Sequence, residues 1–183
     1  STFSEPVAAA SIAQVHKATV SDGDGTREVA VKVLRPGIER RFARDLSDMF
    51  FAARLAERWS TEAQRLRFIG IVETLARTVR MEMDFRLEAA AASEFGENVA
   101  ADRDFRVPNV DWNLTAKDVL TLEWIDGVPL SDIAALERGG FDREKLGRIV
   151  IQSFLTHAVR DGLFHDDMHQ GNLFVDREGR LVA

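Results

Sequence analysis

The hydrophobic period of this chain changes at Ile38, and no other feature restricts its possible folds as much. Upstream, "SIAQVHKATV" and "REVAVKVLRP" read as strands joined by "SDGDGT", an Asp- and Gly-rich turn suited to a hairpin. In the second strand Val29, Val31 and Val33 fall on one face, and Ala30, Lys32 and Leu34 on the other. From Ile38 onward, Phe42, Leu46, Met49, Phe50, Ala53 and Ala56 recur at intervals of three and four. That spacing predicts an amphipathic helix of about five turns. Thr61 is the expected N-cap of the next helix, with Gln64 as its capping-box partner. The pattern runs through Phe68, Ile71, Val72, Leu75 and Val79 into "EMDFRLEAAAASEFGENVA", with a break between.

After Pro108 the chain turns strand-like again, in "RVPNV" and "DVLTLEWI". "DGVPLSD" reads as a turn, with Ser131 capping a short helix over Asp132–Arg138. Asp142 is the expected cap of the last long helix, whose inward residues are Leu146, Ile149, Val150, Phe154 and Ala158, with Gly162 as its stop. A strand, a polar loop and a strand close the sequence. Strands followed by helices, twice over, predict an α+β chain of two small lobes, and a cleft between lobes is a common ligand site.

Composition excludes some functions. A net charge of −6 argues against a nucleic-acid partner, which would require a basic face. The absence of cysteine removes disulfides and thiolate-bound zinc and fits a reducing, cytoplasmic setting. No apolar run reaches the roughly 20 residues that span a bilayer, so any membrane contact is expected to be peripheral or through segments outside this chain. The start "STFSEP" and the end "GRLVA" give the expectation of a fragment.

Two stretches could carry chemistry. Lys32 stands mid-strand in "VAVK" on a face shared with apolar residues. There it is either an edge lysine whose stem packs while its ammonium reaches water, or an ammonium aimed at an anion. "HDDMHQGN" places Asp167 five residues before Asn172 and two after His165. This is the spacing of a kinase catalytic loop, in which Asp orients the acceptor and Asn binds Mg²⁺. A solvated turn holding a core histidine fits the loop equally well. A His165–Asp166–His169 metal cluster is a third reading, but it would need further His or Asp ligands, and His16 and His157 have no acidic neighbour of that kind.

Several motifs then occur in one order: "PVAAAS", "VAVKVLRPG", "EMD" at Glu82–Asp84, "TLEWIDGVPLSD" and "FHDDMHQGN". Together they resemble the UbiB/AarF/ADCK family of atypical, protein kinase-like proteins over nearly the whole chain. The resemblance implies a two-lobed kinase-like fold, truncated at both ends, with residues 1–122 as the N-lobe-like part and 123–183 as the hinge and a partial C-lobe. It implies ATP or ADP and Mg²⁺ as cofactors. Lys32 would bind the α/β-phosphates with Glu88 as its ion-pair partner, and Ala8, Ala9, Ala10 and Ser11 would form the loop over the phosphates. Glu82 and Asp84 would be the signature acids, with Asp84 and Glu88 four apart on one helical face. Glu123, Trp124 and Ile125 would be the hinge meeting the adenine edge. Asp167 would be the catalytic aspartate, Asn172 a metal ligand, and His165 a loop-holding group.

The implied activity is ATP-dependent phosphoryl transfer or ATP hydrolysis supporting ubiquinone or isoprenoid-lipid metabolism. Its partners would be a lipid or quinone-biosynthesis proteins at a membrane. A small-molecule or protein kinase and a catalytically silent nucleotide-binding scaffold are the alternatives. Gln170 stands where the family usually has proline, and Asp166 where it usually has a small residue. The family's KxGQ segment and the aspartate of its D-F-G-like motif fall outside this chain. Incomplete Mg²⁺ binding, weak nucleotide affinity and little turnover are therefore expected of it alone.

Overall fold

The valine alternation of "REVAVKVL" produces a central strand. In the computed structural model, residues 2–23, 25–156, 159 and 173–183 are described. In chain order the elements are β1 (Thr2–Ala9), β2 (Ala13–Asp22), β3 (Gly25–Leu34), α1 (Ile38–Trp59), α2 (Thr61–Leu66), α3 (Phe68–Glu82) and α4 (Phe85–Val99). β4 (Phe105–Arg106), a 3₁₀ turn (Trp112–Leu114), β5 (Val119–Glu123), β6 (Gly127–Pro129), α5 (Ile133–Arg138), α6 (Arg143–Thr156), β7 (Phe174–Asp176) and β8 (Leu181–Val182) follow. The fold is mixed, with one sheet ordered β1-β2-β3-β5 and a second ordered β4-β8-β7-β6.

The first sheet is antiparallel throughout. Val29 and Val31 are buried with Ala18 on one face, and Ala13, Leu34 and Leu120 pack on the other against Met83, Phe85 and Ala89. The alternation read from the sequence therefore selects which face α4 covers. In the second sheet β4 pairs parallel with β8, and the other pairs are antiparallel. Its core joins Phe95 and Val99 of α4 to Phe105, Leu136, Leu146, Ile149, Val175 and Leu181. Phe95 and Phe105 meet edge to face, 5.7 Å between ring centres. One helix thus contributes to both cores, with Phe85 and Ala89 toward one sheet and Phe95 and Val99 toward the other.

Local details differ from the sequence reading. Residues 2–9 form a strand that was not anticipated; its Pro6 is tolerated because β1 is an edge paired only to β2, with register irregularities on either side of that proline. Ser60 rather than Thr61 caps α2: its backbone is extended and its hydroxyl accepts from the Ala63 N–H at 3.3 Å. Gln64 closes no capping box and donates instead to the Glu57 carbonyl. The pattern read as one helix from Thr61 is broken at Arg67, which adopts a left-handed conformation (φ 53°). Beyond it, a carboxylate oxygen of Glu57 accepts the Ile69 N–H at 2.9 Å, capping α3 from α1. Asp132, not Ser131, caps α5 by accepting from Ala135 N–H. "GVP", read as a turn, is β6. Asp142 caps α6 as expected, accepting from Glu144 and Lys145 N–H. Met49 and Phe154 are exposed rather than inward, while Ala158 and Gly162 lie outside the described residues. Among the described residues, no helix is long and apolar enough to cross a membrane.

Candidate functional site

Across the first sheet, Ala8, Val15, Lys32 and Leu120 form one row of paired residues. Residues directly opposite in antiparallel strands share a face. The end of the alanine hairpin, Val15 and Lys32 therefore project on the side that α4 covers. Lys17, Ala30 and Leu122 form the next equivalent row.

Glu88 comes from the first turn of α4. Lys32 Nζ donates to Oε1 and Oε2 of Glu88 at 2.7 and 2.8 Å, and lies 5.0 Å from the centre of the Phe85 ring. Phe85 is fully buried, so the ammonium has an apolar wall on one side and a carboxylate on another, while both charged side chains retain solvent access. Such an ammonium is fixed in direction and available to a second anion.

The signature acids are placed differently from each other. Asp84 is not helical but caps α4, accepting the Arg86 N–H at 3.2 Å. Its carboxylate also takes Nε and Nη2 of Arg86 at 2.8 and 2.6 Å. Those hydrogen bonds hold the Asp84 carboxyl below the usual aspartate range. Asp84 is thus the cap of the helix that carries Glu88 rather than a residue within it, and the four-residue rule for two helical residues does not apply to the pair. Glu82 ends α3 and is exposed.

The alanine hairpin is fastened by a residue the sequence reading did not single out. Ala8 and Ala9 close β1 opposite Val15 and Gln14, Ser11 is exposed in the bend, and Ala10 N–H donates to Ala13 O at 3.0 Å. Arg35, just past β3, donates from Nε and Nη2 to the Ala10 carbonyl at 3.3 and 3.2 Å. Its own N–H donates to Ile12 O at 2.9 Å. The only sequence signal was the position of "LRPG" directly after the lysine strand.

At the expected hinge, the Glu123 N–H is bonded to Asn109 O at 2.9 Å and the Trp124 N–H to Glu28 O at 3.4 Å. Two backbone donors of this segment are thus used within the protein. Lys17 sits 4.7 Å from the centre of the Trp124 ring and pairs with Glu28 at 2.7 Å. An open cavity of about 510 Å³ lies behind this segment, lined by Arg27, Asn109, Trp112 and Glu123, and does not include Lys32. Asp167, Asn172, His165, Asp166, His169 and Gln170 all lie outside the described residues. The segment after them is anchored, since Leu130 N–H donates to Leu173 O at 2.8 Å ahead of β7. Among the described residues, no cluster of three or more His, Asp or Glu could hold a metal ion.

A lysine on the third strand of a small antiparallel sheet, paired with a glutamate of the covering helix beside a hairpin turn, is a kinase-type arrangement. The chain matches the family described as "ABC1 atypical kinase-like domain" over residues 1–183. It belongs to this ABC1 family. Proteins described as "Probable protein kinase UbiB" are similar to it: that of Marinobacter nauticus is 41% identical over 172 residues, 94% of this chain and 31% of the relative. That of Azotobacter vinelandii is 43% identical over 94% of this chain and 32% of the relative. This ABC1 chain therefore spans about a third of the length of those relatives. Among solved structures, a complex of Rv3197 with erythromycin from Mycobacterium tuberculosis covers all of the ABC1 chain and 44% of its own, at 35% identity and a TM-score of 0.78. The kinase-like fold and the family are thereby shown.

Proposed function

We propose that this chain is the nucleotide-gripping part of a UbiB-type atypical kinase or ATPase, with residues 1–122 and 123–183 as its two lobe-like parts, the first of which also lends Phe95, Val99 and Phe105 to the core of the second sheet. The observation that carries the reading is the Lys32–Glu88 pair on the face shared with the alanine hairpin. An ammonium held by both oxygens of one carboxylate keeps a fixed direction and can still donate to a phosphate. In this reading Lys32 takes the α/β-phosphates of ATP, and Ala8 to Ser11 cover the phosphate chain. Glu123 to Ile125 meet the base, and Glu82 and Asp84 border the site. Asp167 orients the acceptor or water and receives its proton, and Asn172 offers an amide oxygen to the metal. Mg²⁺, when bound, would supply neutralisation of the phosphate charge. Alanine resists the positive φ that lets glycine loops wrap phosphates closely, and the family resemblance implies ATPase-like behaviour rather than ordinary protein phosphorylation. By its resemblance to the UbiB/AarF/ADCK family, the activity we propose would support ubiquinone or other isoprenoid-lipid metabolism at a membrane.

The test is Mg²⁺-dependent ATP hydrolysis by the full-length protein beside Asp167→Asn. A loss of about 10²–10⁴ in rate is expected for a group of this role. Unchanged hydrolysis would point to a nucleotide-binding scaffold, and a phosphorylated acceptor to a kinase proper.

A further inference from the structure

Arg106 belongs to one sheet by its backbone and reaches the other by its side chain. Its strand β4 pairs with β8 (Arg106 opposite Val182), and its carbonyl accepts the Ala183 N–H at 3.3 Å. The guanidinium spans outward from that anchor. Nη1 donates to Oε1 and Oε2 of Glu123, at the end of β5, at 3.0 and 3.1 Å. Nε donates to Oδ2 of Asp176, the last residue of β7, at 3.3 Å. Glu123 is held further by the side-chain amide of Asn109 at 3.2 Å. Asp176 is buried and also takes the Arg180 side chain and the N–H groups of Glu178 and Arg180. Neither carboxylate is free to drift.

These two carboxylates stand at informative places. Glu123 begins the segment proposed to meet the base, and Asp176 lies four residues after Asn172, proposed to meet the metal. A nucleotide gripped at both ends needs the distance between those segments to be fixed before it binds. A planar guanidinium with separately directed donors can set such a distance, whereas an ammonium on a flexible stem cannot. The geometry points to Arg106 as a positioning residue that fixes the span between the base-reading hinge and the strand leaving the catalytic loop, so that base and phosphates are bound together. This rests on the proposed nucleotide site.

The prediction concerns coupling rather than affinity alone. In the full-length protein with Mg²⁺, calorimetric affinities for ATP and for inorganic tripolyphosphate are compared in the parent, Arg106→Ala and Arg106→Lys. Arg106→Lys keeps the charge, so it carries the test if the alanine variant does not fold. ATP affinity should fall about tenfold in both variants, the scale of one lost charge-assisted contact, while tripolyphosphate affinity changes by less than about twofold. Glu123→Gln, which weakens the hinge arm only, should lower the same ratio. Parallel losses for both ligands would reduce Arg106 to a structural tie and overturn the inference, as would an unchanged ratio. A parent protein that binds no ATP would overturn the nucleotide site itself, a different failure from an unaltered ratio in a parent that binds.

Discussion

Lys32 Nζ on β3 lies 2.7 and 2.8 Å from the two carboxylate oxygens of Glu88 on α4, so helix position dictates where the sheet's ammonium points. The two residues should fail differently when changed. Lys32→Met removes the proposed phosphate donor and should lower the hydrolysis rate of the full-length protein by about 10–100-fold, the scale of a charge-assisted hydrogen bond. Glu88→Gln leaves the donor but loosens its aim, and should cost less in affinity than in turnover. Both side chains are partly solvent-exposed, so the pair itself stabilises the fold by about 1 kcal/mol or less and melting temperatures should barely move. Full hydrolysis in Glu88→Gln would show that the helix does not aim the lysine.

The alanine turn is stiff for two separate reasons, and each can be removed. Ala9→Gly opens backbone conformations that alanine resists. Arg35→Ala releases the Ala10 carbonyl, now held by two donors at 3.3 and 3.2 Å. Either change should shift the ratio of ATP to ADP affinity in the same direction, measured by competition against one fluorescent nucleotide. Equal ratios in parent and variants would remove the turn from nucleotide selection.

Much of this arrangement was legible in the sequence because it follows from alternation. The valine pattern of β3 puts Lys32 on the face opposite Val29 and Val31, and the structure covers that face with α4. The inward residues of α1 were also legible, with Met49 as the exception. What remained illegible depends on partners distant in sequence. Glu57 caps α3 from another helix, and Arg67 takes a left-handed conformation that arginine does not announce. β1 has little alternation, so only its pairing to β2 identifies it. Arg106 looked like an ordinary charge because both its carboxylates lie far away in the chain, at Glu123 and Asp176. The cap positions slipped by one residue at Ser60 and Asp132, since adjacent residues were equally able to cap.

Acid should loosen the β7–β8 hairpin through Asp176. Burial alone would raise its carboxyl, but hydrogen bonds from Arg180, Arg106 and the Glu178 N–H outweigh it and hold the value below the ordinary one. A carboxyl depressed in the folded state contributes stability that is complete above its unfolded pKa of about 3.9 and is lost as pH falls through the lower native value. Thermal melts of the full-length protein between pH 6 and pH 3, as an order-of-magnitude window around that value, should therefore fall more steeply in the parent than in Asp176→Asn. Above that window the asparagine variant should melt lower throughout, because Arg106 and Arg180 lose a charged acceptor. Parallel melting curves across the acid range would rule out Asp176 as the titrating group.

Two glycines separate a close-packed backbone from an open one. At Gly127 an added Cβ would stand 2.7 Å from the Val175 carbonyl oxygen and 3.2 Å from its carbon, both backbone atoms of the paired strand. Neither can yield without moving β6 from β7, so Gly127→Ala should destabilise by about 1–3 kcal/mol, the usual cost of overpacking. β6 follows the proposed hinge and β7 follows the proposed catalytic loop, so nucleotide affinity should drop with it. Gly147 lies on the exposed side of α6, with nothing within 4 Å of an added Cβ. Gly147→Ala should instead stabilise by up to about 1 kcal/mol through helix propensity and leave nucleotide affinity unchanged. Chemical denaturation of the two variants beside the parent reads both effects. A neutral Gly127→Ala would mean that the two strands have room to separate.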